Sequence, residues 1–374
     1  MGTLAGVPIF YVNDRRQNAV TIWIRLMRAR GTAIRTLWAL RLTLVLVVMA
    51  VAAPAFAGRL VTDMAGRAVE VPDKIARVGT IGPVPVLNSF VFAIGEAGSI
   101  ANNLPPNLGG PRWRFQYVVS PNLASLPVIQ TGQGPNIEGV IEAAPDVVLT
   151  MDRATVDLVA RTHVPALYLS WQKPDDVKAV MRLLGELFGK PDAADAYSTY
   201  FDQTMQKVGS RVDILRDDQR PRVLYANYRS LTQPHKIAEW WIAKAGGRSV
   251  TDDGRIGEAF NFSIEQILAW NPEVIIVTSE NEIANAYGDA RLANVSAIKN
   301  KRVYAIPMGV HVWGNRTVEQ PLTVMWAAKL FHPDLFADVV IEDEVRNFYS
   351  KFFKVDLSSD DTATILAGRA GASK

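Results

Sequence analysis

NIEGVIEAAPDVVLT (136–150) and SIEQILAWNPEVIIVT (263–278) share one pattern, a short helix, a proline and an apolar strand. Glu138 and Glu265 occupy the matching position when the two stretches are aligned. The other pairs in the same alignment are Ile137 and Ile264, Pro145 and Pro272, and Asp146 and Glu273. A helix followed by a buried strand is the unit of α/β proteins. The repeat therefore predicts one such unit in each of two lobes.

The N-terminus has the three-part pattern of a secretory signal peptide. Arginines precede the apolar run Leu42–Ala53, which is shorter than the about 20 residues of a membrane-spanning helix. An Ala-x-Ala site at 55–57 follows this run. We therefore expect residues 1–57 to be a cleaved leader, with Met27 as a candidate true start. An uncleaved membrane anchor is the alternative.

Charge and cysteine content restrict the class of protein. The 374-residue chain has a net charge of +3, with 40 basic and 37 acidic residues. Seven Arg and one Asp belong to residues 1–57, so the remainder has 33 basic and 36 acidic residues and a net charge of −3, which gives no sign of nucleic-acid binding. The absence of Cys excludes disulfides, thiolate metal sites and a lipid-anchored cysteine. A periplasmic protein that is not a lipoprotein is expected.

Two segments alternate short apolar runs with helical spacing, 58–173 and 218–356. This alternation predicts mainly parallel sheets covered on both faces. Between them, residues 174–217 have apolar positions three and four apart, which predicts amphipathic helices, the longest over 192–215. Residues 357–374 are polar and rich in small residues, so a flexible tail is expected. The predicted fold class is α/β, with two Rossmann-like lobes joined by one long helix.

The order and spacing of these segments resemble periplasmic substrate-binding proteins of ABC importers, in the group that carries ferric siderophores, haem and vitamin B12. The stretches that carry the resemblance are VTDMAGRAVEVP (61–72), PNIEGVIEAAPDVVL (135–149), the helix 192–215, FSIEQILAWNPEVIIV (262–277), LANVSAIKNKRVYAIP (292–307) and TVEQPLTVMWAAKLFHPDLF (317–336). The resemblance covers nearly all of residues 60–356. It implies the class III arrangement, in which a rigid helix joins the lobes and permits only small movements on binding.

The resemblance also implies two docking residues. In this family, one acidic residue on the outer rim of each lobe contacts arginines of the membrane permease. By position these are Glu138 and Glu265. Both also lie in the first turn of a predicted helix, with Asn136 and Ser263 as N-caps, where a carboxylate stabilises the helix without any partner. Docking is the preferred interpretation, and helix stabilisation is the alternative.

Loops that follow the predicted strands supply the candidate ligand site between the lobes. They combine Arg with aromatic residues, which suits an anionic chelate because guanidinium groups bind its oxygens and rings stack on its apolar parts. The predicted ligand-binding residues are Arg112, Trp113, Arg114, Tyr117, Trp171, Tyr228, Arg229, His235, His311, Trp313 and Arg316. An alternative for PRWRFQY (111–117) is a half-buried strand with its arginines in water.

We expect a ferric siderophore as the ligand, with cobalamin or haem as the alternative. No cofactor of the protein's own is expected, because the metal, Fe(III) first, arrives within the chelate. The four histidines have no tight metal-ligand spacing, so no metal site is assigned, although His235 and His311 can meet in the cleft. The sequence contains no G-x-S-x-G, H-E-x-x-H or P-loop motif, so no catalytic residue is assigned and a periplasmic enzyme is a remote alternative. The expected partners of this monomer are a permease dimer and, upstream, an outer-membrane receptor.

Overall fold

The structure, a computed structural model, describes residues 58–132, 134–255 and 257–369. Residues 1–57, which contain the predicted signal peptide, lie outside the described residues. Within the described part, no helix is long and apolar enough to cross a membrane.

The secondary-structure elements alternate along the chain much as the sequence predicts. The strands are β1 Gly58–Thr62, β2 Ala68–Pro72, β3 Val78–Ile81, β4 Gln130–Thr131, β5 Gly134–Pro135, β6 Val147–Thr150, β7 Ala166–Tyr168, β8 Arg222–Ala226, β9 Thr232–Gln233, β10 Arg248–Ser249, β11 Phe260–Asn261, β12 Val274–Val277 and β13 Val303–Ala305. The α-helices are α1 Val84–Ala93, α2 Arg114–Val119, α3 Ile137–Ala143, α4 Arg153–Val159, α5 Asp176–Phe188, α6 Pro191–Val212, α7 Ile237–Lys244, α8 Ile264–Trp270, α9 Asn281–Gly288, α10 Ser296–Lys299, α11 Gln320–Phe331, α12 Ile341–Phe348 and α13 Ser359–Leu366. A π-helix, Tyr349–Phe353, continues α12.

Two parallel sheets form the centres of the two lobes. The first has the order β3-β6-β7 and the second the order β10-β8-β12-β13. Every residue of β3, β6 and β12 is buried, as expected for parallel strands covered on both faces. The predicted α/β class with two Rossmann-like lobes is confirmed.

The internal sequence repeat corresponds to the same local structure in each lobe. Helix α3 begins with Asn136, whose side chain accepts a hydrogen bond from the Gly139 N–H, and α8 begins with Ser263, which accepts one from the Gln266 N–H. Both helices end at a left-handed residue, Ala144 at φ 41° and Asn271 at φ 42°. A side-chain cap at the start and a left-handed turn at the end set the same helix length in both lobes.

In each lobe, an acidic residue and an arginine hold the strand after the repeated helix in place. The Asp146 carboxylate accepts a hydrogen bond from the Arg77 N–H at 2.8 Å, and the Glu273 carboxylate accepts one from the Arg222 N–H at 3.0 Å. Each arginine also donates from its guanidinium to a backbone carbonyl at the C-terminal end of the repeated helix. The repeated helix, the strand after it and the neighbouring strand are therefore connected by the same hydrogen bonds in both lobes. Arg77 and Arg222 do not align with each other in the repeat, so the sequence pattern does not include them.

One continuous core runs from the first lobe through the linker helices into the second lobe. It includes Phe90 of α1, Tyr197 and Phe201 of α6 and Trp241 of α7, all at most 2% exposed. The Tyr197 hydroxyl donates to the Val318 carbonyl at 2.7 Å. The 22-residue helix α6 occupies the place predicted for the long linker. Because its apolar face is packed against both lobes, a wide hinge motion would open close-packed core.

Each sheet has one smaller apolar cluster, on the face opposite to this core. The first contains Val140 of α3 and Val148 of β6, and the second contains Ile267 of α8 and Ile275 of β12. Val140 aligns with Ile267 in the repeat, and Val148 aligns with Ile275. The repeated helices therefore cover the outer faces of the two sheets, and their other sides form the rim of the protein.

The C-terminal segment differs from the predicted flexible tail. Residues 359–366 form helix α13, which is capped by the Ser358 hydroxyl, and its Ile365 is fully buried. The Met308 N–H donates to the Ile365 carbonyl at 2.9 Å, and Asp361 forms an ion pair with Arg114 at 2.6 Å. A helix with so few large apolar residues gives little periodic signal, and it is tertiary contact that stabilises it here.

The left-handed end of α3 gives a prediction about stability. Ala144→Gly should raise the free energy of unfolding by about 1 kcal/mol, because the left-handed region costs a side chain roughly 1–2 kcal/mol and glycine avoids this cost. Ala269→Gly, at an exposed position inside α8, should lower it by about 0.5–1 kcal/mol. Urea denaturation measures both. Equal losses in the two variants would contradict the backbone described at position 144.

Candidate functional site

The loops at the carboxyl ends of the strands meet between the two lobes. An Arg112 Nη2 donates to the Thr278 carbonyl at 3.4 Å, and the Trp113 ring lies 5.5 Å from the His311 ring. Nearby, the Gln116 amide donates to the Val310 carbonyl at 2.7 Å. We call the predicted site residues that meet here the interlobe cluster, which consists of Arg112, Trp113, Trp171, His235, His311 and Arg316.

Arg316 closes one side of the interlobe cluster. Its guanidinium donates to the Gln172 carbonyl at 2.8 Å and makes two hydrogen bonds to the Glu258 carboxylate, at 2.9 and 2.8 Å. The Trp171 indole donates to the Arg316 carbonyl at 3.4 Å. The charge of Arg316 is therefore already neutralised by a paired carboxylate, which leaves it a structural link between the lobes.

The two histidines of the interlobe cluster are neutral near neutral pH. Burial lowers the pKa of His311 to about 3, and the neighbouring His235 and Arg112 act in the same direction. Burial also lowers the pKa of His235, helped by Arg316 and opposed by Glu258. Neutral imidazoles offer one hydrogen-bond donor and one acceptor each.

Arg112 is the cation of the interlobe cluster that has a free charge. Its side chain is exposed, and among the described residues its hydrogen bond goes to a backbone carbonyl rather than to a carboxylate. A guanidinium in this state can bind an anion with two parallel hydrogen bonds. The cluster thus combines one available positive charge with neutral imidazole and indole groups.

Hydrogen bonds to the Glu319 side chain hold the loop that carries His311 in place. This fully buried carboxylate accepts hydrogen bonds from the His311 N–H at 2.9 Å, the Trp313 indole at 3.0 Å and the Tyr349 hydroxyl at 2.8 Å. Burial raises the pKa of Glu319 to about 7, although these donors favour the charged form. The three bonds fix the backbone and one ring of the loop, so His311 is presented to the cleft from a rigid support.

Five predicted site residues lie outside the interlobe cluster. Arg114 is paired with Asp361, Trp313 is fully buried against Glu319, and Arg229 is exposed at the surface. The Tyr117 hydroxyl donates to Asn103 at 3.0 Å, and the Tyr228 hydroxyl donates to Asp289 at 2.6 Å. Apart from Arg229, each of these side chains has a partner within one lobe or in the C-terminal helix. Contact with a ligand stays a prediction for all eleven residues.

Residues 111–117 are not the half-buried strand considered as an alternative. They form a 3₁₀ turn, Pro111–Trp113, that runs into helix α2. Phe115 is buried, whereas Trp113 is half-buried and its ring reaches His311. Proline at the start of the turn favours this conformation, a signal that the alternation of aromatic residues conceals.

Tyr225 and Glu258 belong to this region but were not predicted. The Tyr225 hydroxyl is buried and, among the described residues, has no hydrogen-bond partner, and burial raises the pKa of its phenol. Its position inside the apolar strand β8 marks it as core in the sequence. Glu258 lies in a loop between strands and becomes significant only through Arg316. No group of three or more His, Asp or Glu side chains in the described residues is arranged to hold a metal ion.

The two candidate docking glutamates are exposed, one on each lobe. Glu138 lies in the first turn of α3 and Glu265 in the first turn of α8. A hydrogen bond with the Ser263 side chain lowers the pKa of Glu265, with a smaller contribution from Arg291. Both carboxylates are thus open to solvent on the repeated rim helices.

A model of the periplasmic binding protein family matches residues 112–308. The chain belongs to this family. Proteins of this kind deliver small ligands to the permease of an ABC importer. The molybdate-binding protein MolA of Haemophilus influenzae is 25% identical over 339 residues, which cover 83% of this chain and 95% of MolA.

Solved structures share the fold of this periplasmic binding protein. A periplasmic solute binding protein from Veillonella parvula has a TM-score of 0.74 and 25% identity, over 83% of this chain and 97% of that one. The molybdate-bound structure of MolA has a TM-score of 0.71 and 22% identity, over 80% and 99% of the respective chains. The predicted membership of the ABC-importer binding proteins is confirmed.

The buried imidazole of His311 predicts a pH dependence of stability. His311 stays neutral in the folded protein down to about pH 3, whereas a histidine in the unfolded chain takes up a proton below about pH 6.5. The contribution of His311 to the free energy of unfolding is therefore complete above about pH 6.5 and is lost as the pH falls below it. Relative to His311→Gln, the wild type should lose about 2 kcal/mol between about pH 7 and about pH 5.

Urea denaturation at the two pH values measures this difference. Glu319 has the opposite slope, because its raised pKa stabilises the protein at low pH, but it is present in both proteins and cancels in the comparison. The nearby His235 and Arg112 are likewise common to both. Parallel pH profiles for wild type and His311→Gln would show that His311 is not held neutral.

Proposed function

We propose that this periplasmic binding protein carries an anionic metal compound at the interlobe cluster, with molybdate as the first candidate ligand and a ferric siderophore as the second. The observation that carries this proposal is Arg112, a guanidinium without a carboxylate partner among the described residues, placed between the lobes beside two neutral histidines. Its positive charge selects for an anion, and the neutral His235 imidazole can donate to a further oxygen of that anion, whereas the His311 Nδ1 already lies at the Val312 carbonyl.

The size of the ligand is argued from contacts that cross between the lobes. The Trp113 and His311 rings are adjacent, and both Trp171 and Gln172 are bonded to Arg316. A compact oxyanion occupies less volume than a siderophore complex, cobalamin or haem, and therefore requires less separation of these contacts. The 25% identity to MolA over most of both chains supports the compact ligand.

Export and delivery complete the proposal. We infer that residues 1–57 direct the chain to the periplasm and are removed there. The mature protein then binds its ligand as a monomer and docks on the permease dimer through Glu138 and Glu265. An outer-membrane receptor upstream is expected if the ligand is a siderophore.

Replacement of Arg112 tests the ligand site. Arg112→Ala should weaken molybdate binding roughly 10- to 100-fold, because a hydrogen bond to a charged group contributes about 1.5–3 kcal/mol. Arg161→Ala, an exposed arginine that is not among the predicted ligand-binding residues, is the matched control and should leave the affinity unchanged. Isothermal titration calorimetry with molybdate, sulfate, a ferric siderophore and cobalamin measures both variants.

The ligand panel separates the candidates. Binding of the ferric siderophore without a response to molybdate would replace the first candidate by the second. Equal affinities of wild type and Arg112→Ala for whichever anion binds would show that Arg112 does not bind the ligand, and would overturn the proposed site.

Charge reversal tests docking. Glu138→Lys with Glu265→Lys should abolish ligand uptake by cells while the affinity of the purified protein for its ligand stays intact, because both side chains are exposed on the rim. Glu186→Lys with Asp195→Lys, two exposed positions on the linker helices α5 and α6, is the control for added positive charge and should transport normally. Surface ion pairs contribute about 1 kcal/mol or less each, so docking should also weaken as salt is added. Normal uptake by the double variant would overturn the docking assignment.

A further inference from the structure

Each repeated rim helix exposes a large aliphatic side chain three residues after its glutamate. Ile141 of α3 is 61% exposed and Leu268 of α8 is 43% exposed. The two align with each other in the repeat, as Glu138 and Glu265 do. Side chains three residues apart on a helix lie on one face. The rim of each lobe therefore presents the same pair, a carboxylate and an aliphatic group.

The fold itself does not require an aliphatic side chain at these two positions. The preceding residues, Val140 and Ile267, are fully buried and supply the contact of each helix with its sheet. Exposed large apolar side chains are few among the described residues, namely Leu60, Ile141, Ile214, Leu268, Tyr287, Leu335 and Val340. A single exposed aliphatic residue is ordinary. Two at equivalent positions of an internal repeat, each beside an exposed carboxylate, indicate a surface with a partner.

We propose that Ile141 and Leu268 are apolar anchors that dock this protein on its ABC permease, each inserted beside the carboxylate of its own lobe. The inference rests on the proposed docking function and extends it to the chemistry of the partner. That partner is a membrane permease dimer whose two subunits each present a basic group next to an apolar recess.

The repeated backbone geometry supports a two-fold partner. Both helices have an N-terminal side-chain cap and end at a left-handed residue, so each presents its carboxylate and aliphatic group in the same arrangement. A dimer of two like subunits offers the same surface twice. A protein with one copy of the pair on each lobe can satisfy both surfaces at once, with charge complementarity at each.

The two parts of each pair respond differently to salt. Exposed ion pairs are screened, with a Debye length that falls from about 10 Å at 0.1 M to about 3 Å at 1 M ionic strength. Burial of aliphatic surface is not electrostatic and is retained in salt. The anchors would thus supply the part of docking that persists when the glutamates are screened.

The experiment compares two double variants and one control. The first is Ile141→Ser with Leu268→Ser, the second is Glu138→Gln with Glu265→Gln, and the control is Ile214→Ser, an 81% exposed aliphatic residue outside both rim helices. Surface plasmon resonance measures binding of each purified protein to the cognate permease in nanodiscs, at about 0.1 M and about 1 M salt. No ligand is added, so the result does not depend on the identity of the ligand.

The serine double variant should bind about 10- to 100-fold more weakly at both salt concentrations, since each anchor loses burial of several methylene-sized groups. The glutamine double variant should be weakened chiefly at low salt, and Ile214→Ser should match the wild type. Thermal unfolding should be unchanged in all three, because the substituted side chains are exposed.

Three results would overturn the proposal. Unchanged docking of the serine variant, with weakened docking of the glutamine variant, would show that Ile141 and Leu268 are not anchors, while the docking role of the glutamates would be retained. Unchanged docking of both would remove the docking surface altogether. A dimer of the wild type in sedimentation that is lost in the serine variant would assign Ile141 and Leu268 to contact with a second copy of this chain.

Discussion

The buried carboxylate of Glu319 links three parts of the molecule that have to keep fixed positions. Its hydrogen bonds reach the backbone of His311 in the cleft loop, the indole of Trp313 and the hydroxyl of Tyr349 in the C-terminal π-helix. The adjacent Val318 carbonyl accepts from Tyr197 on the linker helix. A carboxylate deep in a protein is costly unless each oxygen is hydrogen-bonded, so these partners cannot move independently. The loop that carries His311, the linker and the C-terminal segment therefore form one unit.

This connection explains why the lobes are joined stiffly rather than hinged. The core extends through α6 into both lobes, and the inner side of each sheet faces it. The outer sides are covered by the repeated helices and their own small clusters. The inner surfaces of the protein meet at the interlobe cluster, and its rim helices, which carry little of the shared core, are free to face a partner.

The sequence predicts the elements well where the pattern is local. The repeated helices, the buried strands and the linker helix follow from spacing, N-caps and prolines, and all are present within a few residues of the predicted bounds. The site is predicted only in part. Arg112, Trp113 and His311 do meet between the lobes, whereas Arg114 and Trp313 have partners in the C-terminal helix and the core. Spacing identifies which residues lie in loops, but not which partner each one finds.

The sequence alone determined the α/β class, the two-fold repeat and the exposed glutamates at its matching positions, because helix caps, apolar periodicity and charge are properties of neighbouring residues. The tertiary structure decided which arginine of the interlobe region keeps a free charge. Arg316 and Arg114 are neutralised by Glu258 and Asp361, which are distant in the chain, while Arg112 bonds only to a backbone carbonyl among the described residues. The same holds for Glu319, whose role depends on Tyr349 and His311 folding onto it. Pairing between charges is set by packing in three dimensions, and no local pattern records it.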